Sequence, residues 1–563
     1  MADLNWWQSA IVYQIYPRSF QDSNHDGIGD IQGIIQRLDY IQSIGINVIW
    51  LNPIFISPQI DNGYDISNYY GIDSIFGSLA DVRELIQEAH QRQIKIIVDF
   101  VLNHTSDQHP WFQEALKGPD NLYREYYLWA EGKENNVAPN NWASFFGGST
   151  WQKEPNGSEY YFHLFAKEMP DLNWANPEVQ IAMLDIAKFW LNEGIDGFRL
   201  DAFIHLAKAE GYPDVAGVPP GELAIAEEYY ANLPKVQEYL AKFVKALRCI
   251  KPDIFIVGEA ASAEVDLAVQ YTEPQANQCD SVITFRYFTE DESEKDSRLP
   301  LGMQPGKLDL VKFKETMVEW QEKLAHAGGP TLYWNNHDMP RLVSRFGDAQ
   351  NYRKNSSKTL ATVMYLQKGI SFILNGEELG MENLAITSLA DYEDPGAVDF
   401  YQQAQQLGYT ESEILACLNA SSKDASRGVM QWDNSPNSGF STVKPWSGVN
   451  DELDYTVVDE EQSEDSILAY YRQLLALKKT DLFTKGDFEL VETNDQTYGY
   501  IRSWEHEEAL VLANMTGETV SLTVLDAANL QMDERLMQVG DSKLTKTAIT
   551  LGPFSSFVMQ TKK

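Results

Sequence analysis

From residue 10 to about 380 the hydrophobic pattern keeps changing period, from short β-branched runs that read as buried strands to stretches with the three-to-four spacing of an amphipathic helix. "AIVYQIYPRSF" is followed by "DIQGIIQRLDYIQSIG", where Ile31, Ile34, Ile35, Leu38 and Ile41 keep one helical face until Gly45 ends the segment. "INVIWLNP" reads as the next strand. The alternation continues through "IKIIVDFVLNH", "IDGFRLDA", "IFIVGEA", "SVITFR", "PTLYWNNHD" and "ISFILNGEELG", with helices such as "EVQIAMLDIAKFWLNEG" between them. Eight such units predict an α/β fold with a parallel sheet, closed as a (β/α)8 TIM barrel rather than opened as a doubly wound sheet.

The rhythm breaks between His104 and Trp174, in a stretch too long for an ordinary loop and rich in aromatic residues: Trp111, Trp129, Trp142, Phe145, Phe146, Trp151 and Phe165. Inserted after the third strand, it rises from the face where barrels carry their active sites. Most of its rings are expected to be core of a small subdomain. From about residue 482 short strands and turns take over, as in "YGYIRSW" and "ITLGPFSSFVMQ", which predicts an antiparallel β-sandwich. The expected domains are a barrel over 1–104 and 173–481, an insertion domain over 105–172 and a C-terminal sandwich over 482–563.

Composition narrows the partners. The 563 residues carry a net charge of -38, a field that repels nucleic acid and anionic membrane surfaces and leaves neutral ligands acceptable. The amino terminus lacks a basic segment followed by an apolar run, and no stretch is long and apolar enough to span a bilayer. Cys249, Cys279 and Cys417 have neither metal-ligand nor redox spacing, and their odd number suits a reducing compartment, so a cytoplasmic location is expected.

"EGIDGFRLDAFIHL" sharpens the chemistry. Strand alternation sets Arg199 and Asp201 on one face, opposite Phe198 and Leu200. One such pair alone reads as a structural ion bridge. Here, however, other strands also end in polar residues: Asn103 and His104 on the third, Glu259 on the fifth, His337 and Asp338 on the seventh. In a parallel barrel these ends converge, and like charges so crowded imply function. Paired carboxylates flanking one bond are what glycosidic cleavage requires.

The ordered segments "DFVLNHTSD", "GFRLDA", "VGEA" and "NNHDMPR" resemble those of glycoside hydrolase family 13, the α-amylase superfamily, and the likeness runs nearly end to end. "DNGYDI", "PDLNW", "YWNNHD" and "MQWD" resemble its oligo-1,6-glucosidase and α-glucosidase group. The resemblance implies Asp201 as nucleophile, kept ionised by Arg199, Glu259 as general acid/base, and Asp338 as the third carboxylate. It implies His104 and His337 as hydrogen-bond partners of the sugar, Asp61 and Tyr64 as wall and platform of its pocket, and Arg427 as the residue that closes it. Phe145 and Phe165 join them as stacking candidates. The reaction implied is a retaining, exo-acting removal of glucose from short α-glucosides, with no cofactor for catalysis and a small oligosaccharide as the partner.

"DSNHDGIGD" sets oxygen side chains at alternate positions, Asp22, Asn24 and Asp26, but fails the full calcium-loop pattern because position twelve is Gly33. By the resemblance the loop holds a structural Ca2+ or Mg2+ through Asp22, Asn24, Asp26, the Ile28 carbonyl and Asp30; the alternative is an Asx-turn loop without metal. Linkage preference is read at Ala202, beside the nucleophile. In the resembled group valine there accompanies α-1,6 links, while alanine or threonine accompanies acceptance of α-1,4 links. Met169, Met339 and "SRGVMQW" depart from the group's motifs and put acceptor preference in doubt. The alternatives are an α-1,6-specific oligosaccharide hydrolase and a sucrose-using or transglucosylating relative. The residues leave the oligomeric state open.

Overall fold

The eight expected strands form one sheet. In a computed structural model, which describes residues 5–325, 327–450, 455–523, 534–545 and 548–562, they are β1 (Ile11–Ile15), β2 (Val48–Leu51), β3 (Lys95–Val101), β4 (Gly197–Asp201), β5 (Phe255–Glu259), β6 (Ser281–Ile283), β7 (Thr331–Leu332) and β8 (Ile370–Leu374). Their order is β6-β5-β4-β3-β2-β1-β8-β7, the cyclic order of a (β/α)8 barrel. Every residue of β1, β2 and β4 is buried, which is why they read as nearly continuous apolar runs. The first residues of the segment expected to open the barrel, and parts of the expected sandwich, lie outside the described residues. Among the described residues no helix is long and apolar enough to cross a membrane.

The chain divides into two units: Met1–Ile49 with Gln91–Ile94 and Arg286–Lys563, and Trp50–His90 with Lys95–Phe285. In the second unit, parallel pairing sets Asp99 of β3 across from Arg199 of β4, and Val101 across from Asp201. A helix over Pro177–Glu193 leads into β4. Asn176 caps it, Pro177 fills its first turn, and Gly194 ends it at φ 105°. Within 105–172, three short strands (Trp129–Glu131, Trp151–Lys153 and Glu159–Phe162) make an antiparallel sheet. Trp142, Trp151, Tyr160, Phe162 and Leu164 form its core together with Ala226 and Tyr230, which come from beyond β4. The Trp142 indole donates to the Pro213 carbonyl at 2.8 Å. The insertion therefore completes its core with a later segment that periodicity had not assigned to it.

In the first unit the helix expected over "DIQGIIQRLDYIQSIG" is two, α1 (Ile31–Gln36) and α2 (Leu38–Ile44), broken at Arg37. Arg37 turns back so that its Nε and Nη2 donate to Gln21 Oε1 at 2.8 and 2.6 Å while its guanidinium lies 4.0 Å from the Trp432 ring centroid. The seventh strand is also shorter than expected, leaving the ladder after Leu332. The C-terminal part has a five-stranded sheet facing a three-stranded one, with Leu510, Leu512 and Phe557 packed on Ile549 and Leu551. This is the expected sandwich.

Past β8, "NGEELG" buries two adjacent carboxylates, Glu377 and Glu378. The hydroxyls of Tyr365 and Tyr471 donate to Glu377, and those of Tyr13 and Tyr40 donate to Glu378 at 2.7 and 2.8 Å. Burial pushes the Glu377 carboxyl up to about 8 against the tyrosine hydrogen bonds, and the Glu378 charge adds to the rise. Because the folded pKa exceeds the unfolded one, the folded state keeps its proton longer, and stability is lost as pH rises toward that value. Glu377→Gln, which cannot ionise, is expected to flatten the fall in urea midpoint between about pH 5 and pH 8; an unchanged slope would mean that Glu377 is ionised throughout.

Candidate active site

The second unit assembles a buried charge cluster around Arg199. Alternation along β4 places Arg199 and Asp201 on one face as the pattern predicts, and both are buried. Arg199 Nη1 donates to Asp99 Oδ1 at 2.6 Å and to Asp201 Oδ1, while Nη2 pairs with Glu259 Oε2 at 2.9 Å. The second oxygen of Asp99 accepts from Trp50 Nε1 and Asn52 Nδ2, both at 3.0 Å, and from the Tyr64 hydroxyl at 3.2 Å. Tyr64 is delivered by a turn in which its own N–H bonds the Asp61 carbonyl at 3.0 Å, and Asp61 is buried there. Ala202 follows β4 in a left-handed conformation, φ 47°, and its N–H donates to Glu259 Oε2 at 3.4 Å.

One guanidinium faces three carboxylates, and burial decides the balance. Burial pushes Asp201 well above the usual carboxylate range, Arg199 opposes this, and the charges of Glu259 and Asp99 add to it. Asp99 is pushed up to about 6 by burial, against the Arg199 charge. Arg199 thus favours the ionised Asp201 as expected, and burial with the neighbouring carboxylates works against it. Asp99 and Asp201 therefore hold their protons to a higher pH than isolated carboxylates would.

His104 is prepared as a donor. The Asn103 amide lies 3.3 Å from its Nδ1 and also donates to Asp171 Oδ2 at 2.9 Å, and Lys208 pairs with that same Asp171 oxygen at 2.5 Å. Since an amide N–H2 can only donate, His104 Nδ1 accepts and Nε2 carries the proton. Nε2 is buried and has no hydrogen-bond partner among the described residues. Burial pulls the ring down to about 4, so it is neutral at pH 7. Phe165 packs at 5.2 Å between ring centroids. Phe145 lies one layer back, against Phe165, His205 and Tyr230.

The first unit holds its own polar group after β7. Gln14 Nε2 meets His337 Nδ1 at 2.8 Å, which fixes the ring with its proton on Nε2, 3.1 Å from Asp338 Oδ2. Arg427 Nη2 donates to Asp338 Oδ1 at 3.1 Å and its Nε to the His337 carbonyl at 2.9 Å. The Arg427 guanidinium sits 5.0 Å from the Tyr16 ring centroid. The Asp338 side chain stays 28% exposed while its two partners are buried, so this carboxylate is the one that reaches outward.

Around residue 22 the oxygens turn inward on their own loop. Asp22 Oδ1 accepts from the N–H groups of Asn24 and His25, Asp22 Oδ2 from that of Gly27, Asn24 Oδ1 from Asp26 and Asp26 Oδ1 from Ile28. Asp30 takes the N–H of Ser23 and caps α1 through the Gly33 N–H. Among the described residues no three His, Cys, Asp or Glu side chains stand ready as a metal cage.

A model of the α-amylase catalytic domain matches residues 14–486, and a model of the C-terminal domain of the α-amylase SusG matches residues 498–558. The chain belongs to the α-amylase family of glycoside hydrolases. It is 39% identical over 562 residues to an oligo-1,6-glucosidase of Bacillus cereus, covering 99% of both chains. Among solved structures it is similar to a GH13_31 family enzyme (46% identity, TM-score 0.89, 99% of this chain and 100% of that one). It is also similar to the trehalose-6-phosphate hydrolase of Bacillus licheniformis (37% identity, TM-score 0.92, 100% of both).

Within this family member, sequence reasoning had picked out Arg199, Asp201, Glu259, Tyr64 and His104, which the structure gathers in one unit, and His337, Asp338 and Arg427, which it gathers in the other. It missed Asp99, Trp50, Asn52, Gln14 and the Lys208–Asp171 pair. Two of these left a signal: Asp99 shares the period-two face of Val101 and Asn103, and Gln14 is the lone polar residue of β1. Arg199→Lys keeps a charge but loses the fork, and is expected to lower kcat by about 10²- to 10³-fold. Steady-state rates on an α-glucoside check this; near-normal kcat would make the guanidinium a structural bridge only.

Proposed function

We propose that this glycoside hydrolase is a retaining, exo-acting α-glucosidase that releases glucose from the non-reducing end of short α-glucosides, α-1,4 links included. The observation that carries the reading is the single Arg199 fork that grips both Asp201 and Glu259. Two carboxylates held on one guanidinium stand close together, which favours direct attack by one of them over a water poised between them. Asp201 attacks the anomeric carbon while Glu259 protonates the leaving oxygen. Glu259 then activates the water that resolves the glucosyl-enzyme. The neutral His104 offers its Nε2 proton to a sugar hydroxyl. In the first unit Asp338, His337 and Arg427 form a polar group of the kind that binds sugar hydroxyls. Three free cysteines support a cytoplasmic location.

The α-1,6-specific reading draws on the name of the Bacillus cereus relative. Ala202 bears on the choice because its backbone is left-handed, a conformation that strains a β-branched residue and directs any larger side chain beside Glu259. Purified protein is expected to release α-glucose first, seen by proton NMR, and to cleave maltose at least as fast as isomaltose. Ala202→Val should lose maltose activity more than isomaltose activity, by about tenfold, whereas Ala202→Gly should retain both. A β-anomer as first product would overturn the retaining mechanism, and isomaltose cleavage alone would establish the α-1,6 reading.

We also propose that the 22–30 loop takes a structural Ca2+ or Mg2+. Hard oxygens from Asp22, Asn24, Asp26 and the Ile28 carbonyl suit such an ion, and each Asp26 carboxylate oxygen, accepting a single hydrogen bond, keeps a lone pair for it. Asp30, committed to the α1 cap, would steady the loop from behind. Adding Ca2+ after chelation is expected to raise the melting temperature by several degrees, on the order of 1 kcal/mol, and Asp26→Ala should abolish the rise. No shift with either ion would leave the Asx-turn loop as the whole account.

A further inference from the structure

The amino ends of the last two barrel strands frame a cleft that the chemistry above does not use. It encloses about 440 Å³, within the size range of small-molecule sites. Gly328 and Gly329 line it just before β7 begins at Thr331, whereas His337 and Asp338 follow the opposite end of that strand. The cleft is therefore separate from the Asp338 group. Its floor is bare backbone. Gly329 sits at φ 82° and Gly369 at φ 141°, where a Cβ would come 2.3 Å from the Pro330 carbonyl oxygen, so only glycine permits this surface.

The walls combine three kinds of contact. Trp504 ends its strand at a tight turn held by the left-handed Glu505, φ 52°, and leaves its ring half-exposed to the cleft. Lys485 Nζ lies 5.7 Å from the Trp504 ring centroid and pairs with Asp481 at 2.9 Å. Lys368 is half-buried, and its ammonium makes no hydrogen bond or ion pair among the described residues, although its carbonyl is taken by Gln321. Burial lowers its pKa. Gln8 adds an amide and Glu505 a carboxylate.

An aromatic face, an amide, two ammonium groups, one of them paired with Asp481, and two carboxylates leave the cleft near neutral, with donors and acceptors both lining it. Such a set suits a ligand with an apolar ring face and a rim of hydroxyls. Among the described residues Lys368 is the lining ammonium outside an ion pair, two carboxylates stand beside it, and an anion must also approach a chain of net charge -38. We infer that the cleft is a second, non-catalytic saccharide site, in which a glucose unit of a mono- or disaccharide stacks on Trp504 and hydrogen-bonds Lys368, Gln8 and the two carboxylates. The cleft stands on its own residues; the choice of a glucosyl ligand rests on the proposed function.

Calorimetric titration of Asp201→Asn protein with maltose tests it, since this variant binds without turnover. Two binding events are expected. In the same background, Trp504→Ala and, separately, Lys368→Met should weaken one event by about tenfold or more and leave the other unchanged. A single event in the parent, or two events untouched by both variants, would overturn the proposal. Competition for the second event by inorganic phosphate would instead assign the cleft to anions. With Asp201 restored, Trp504→Ala should hydrolyse maltose at the normal rate, so a failure of the glucosidase reading appears in the rate assay and a failure of the second site appears in the calorimeter.

Discussion

The organisation of the second unit depends on the Arg199 guanidinium and the three carboxylates it pairs with, two of them buried. Burying charge is costly, and the cost is met only when nearly every polar atom has a partner. Parallel pairing of β3 with β4 supplies the first partner by setting Asp99 across from Arg199. Trp50, Asn52 and Tyr64 then engage the outer oxygen of Asp99. These contacts fix the arginine in place, so Asp201 and Glu259 meet a rigid fork. A positive charge short of full compensation leaves Asp99 and Asp201 holding protons to a higher pH than isolated carboxylates do.

Much of this was legible because it is local. Alternation along β4 puts Arg199 and Asp201 on one face, and the β-branched runs mark all eight strands because a sheet covered on both faces must be apolar nearly throughout. The motif residues lie at strand ends, where barrel geometry collects them. What escaped is non-local or leaves no trace in residue type. Asp99 is tied to Arg199 by pairing between strands 100 positions apart in the chain. The insertion closes its core with Ala226 and Tyr230, whose segment shows no strand or helix period. The left-handed Ala202 carries no glycine to announce it, and the break at Arg37 comes from Gln21 and Trp432 pulling one side chain out of an otherwise regular helical pattern. In each case a tertiary partner overrides a correct local preference.

The two His–Asn and His–Gln arrangements show one device used twice. Asn103 fixes the tautomer of His104 and Gln14 fixes that of His337, so each ring presents Nε2–H. The consequences differ with what stands next to that proton. His337 spends it on Asp338, which stays partly exposed, whereas His104 keeps it unspent in a buried wall. An unspent buried donor costs stability unless something polar arrives to take it. A hydroxyl-bearing ligand is such a group.

Comparison of the Arg199 set with Glu377 and Glu378 separates catalysis from mere burial. Both sites hide adjacent carboxylates near the ends of barrel strands, and in both burial raises their pKa. Around Glu377 and Glu378 the closest donors are tyrosine hydroxyls, which are neutral and stabilise a carboxylate only through hydrogen bonds, so Glu377 remains protonated up to about 8. Around Asp201 the donor is a guanidinium, which can support an anion when the proton moves to a neighbour. A carboxylate surrounded by hydroxyls has no countercharge beside it, while carboxylates sharing a guanidinium do. The partner decides whether a buried acid is structural or chemical, and around Glu377 and Glu378 that partner is a ring of four tyrosine hydroxyls.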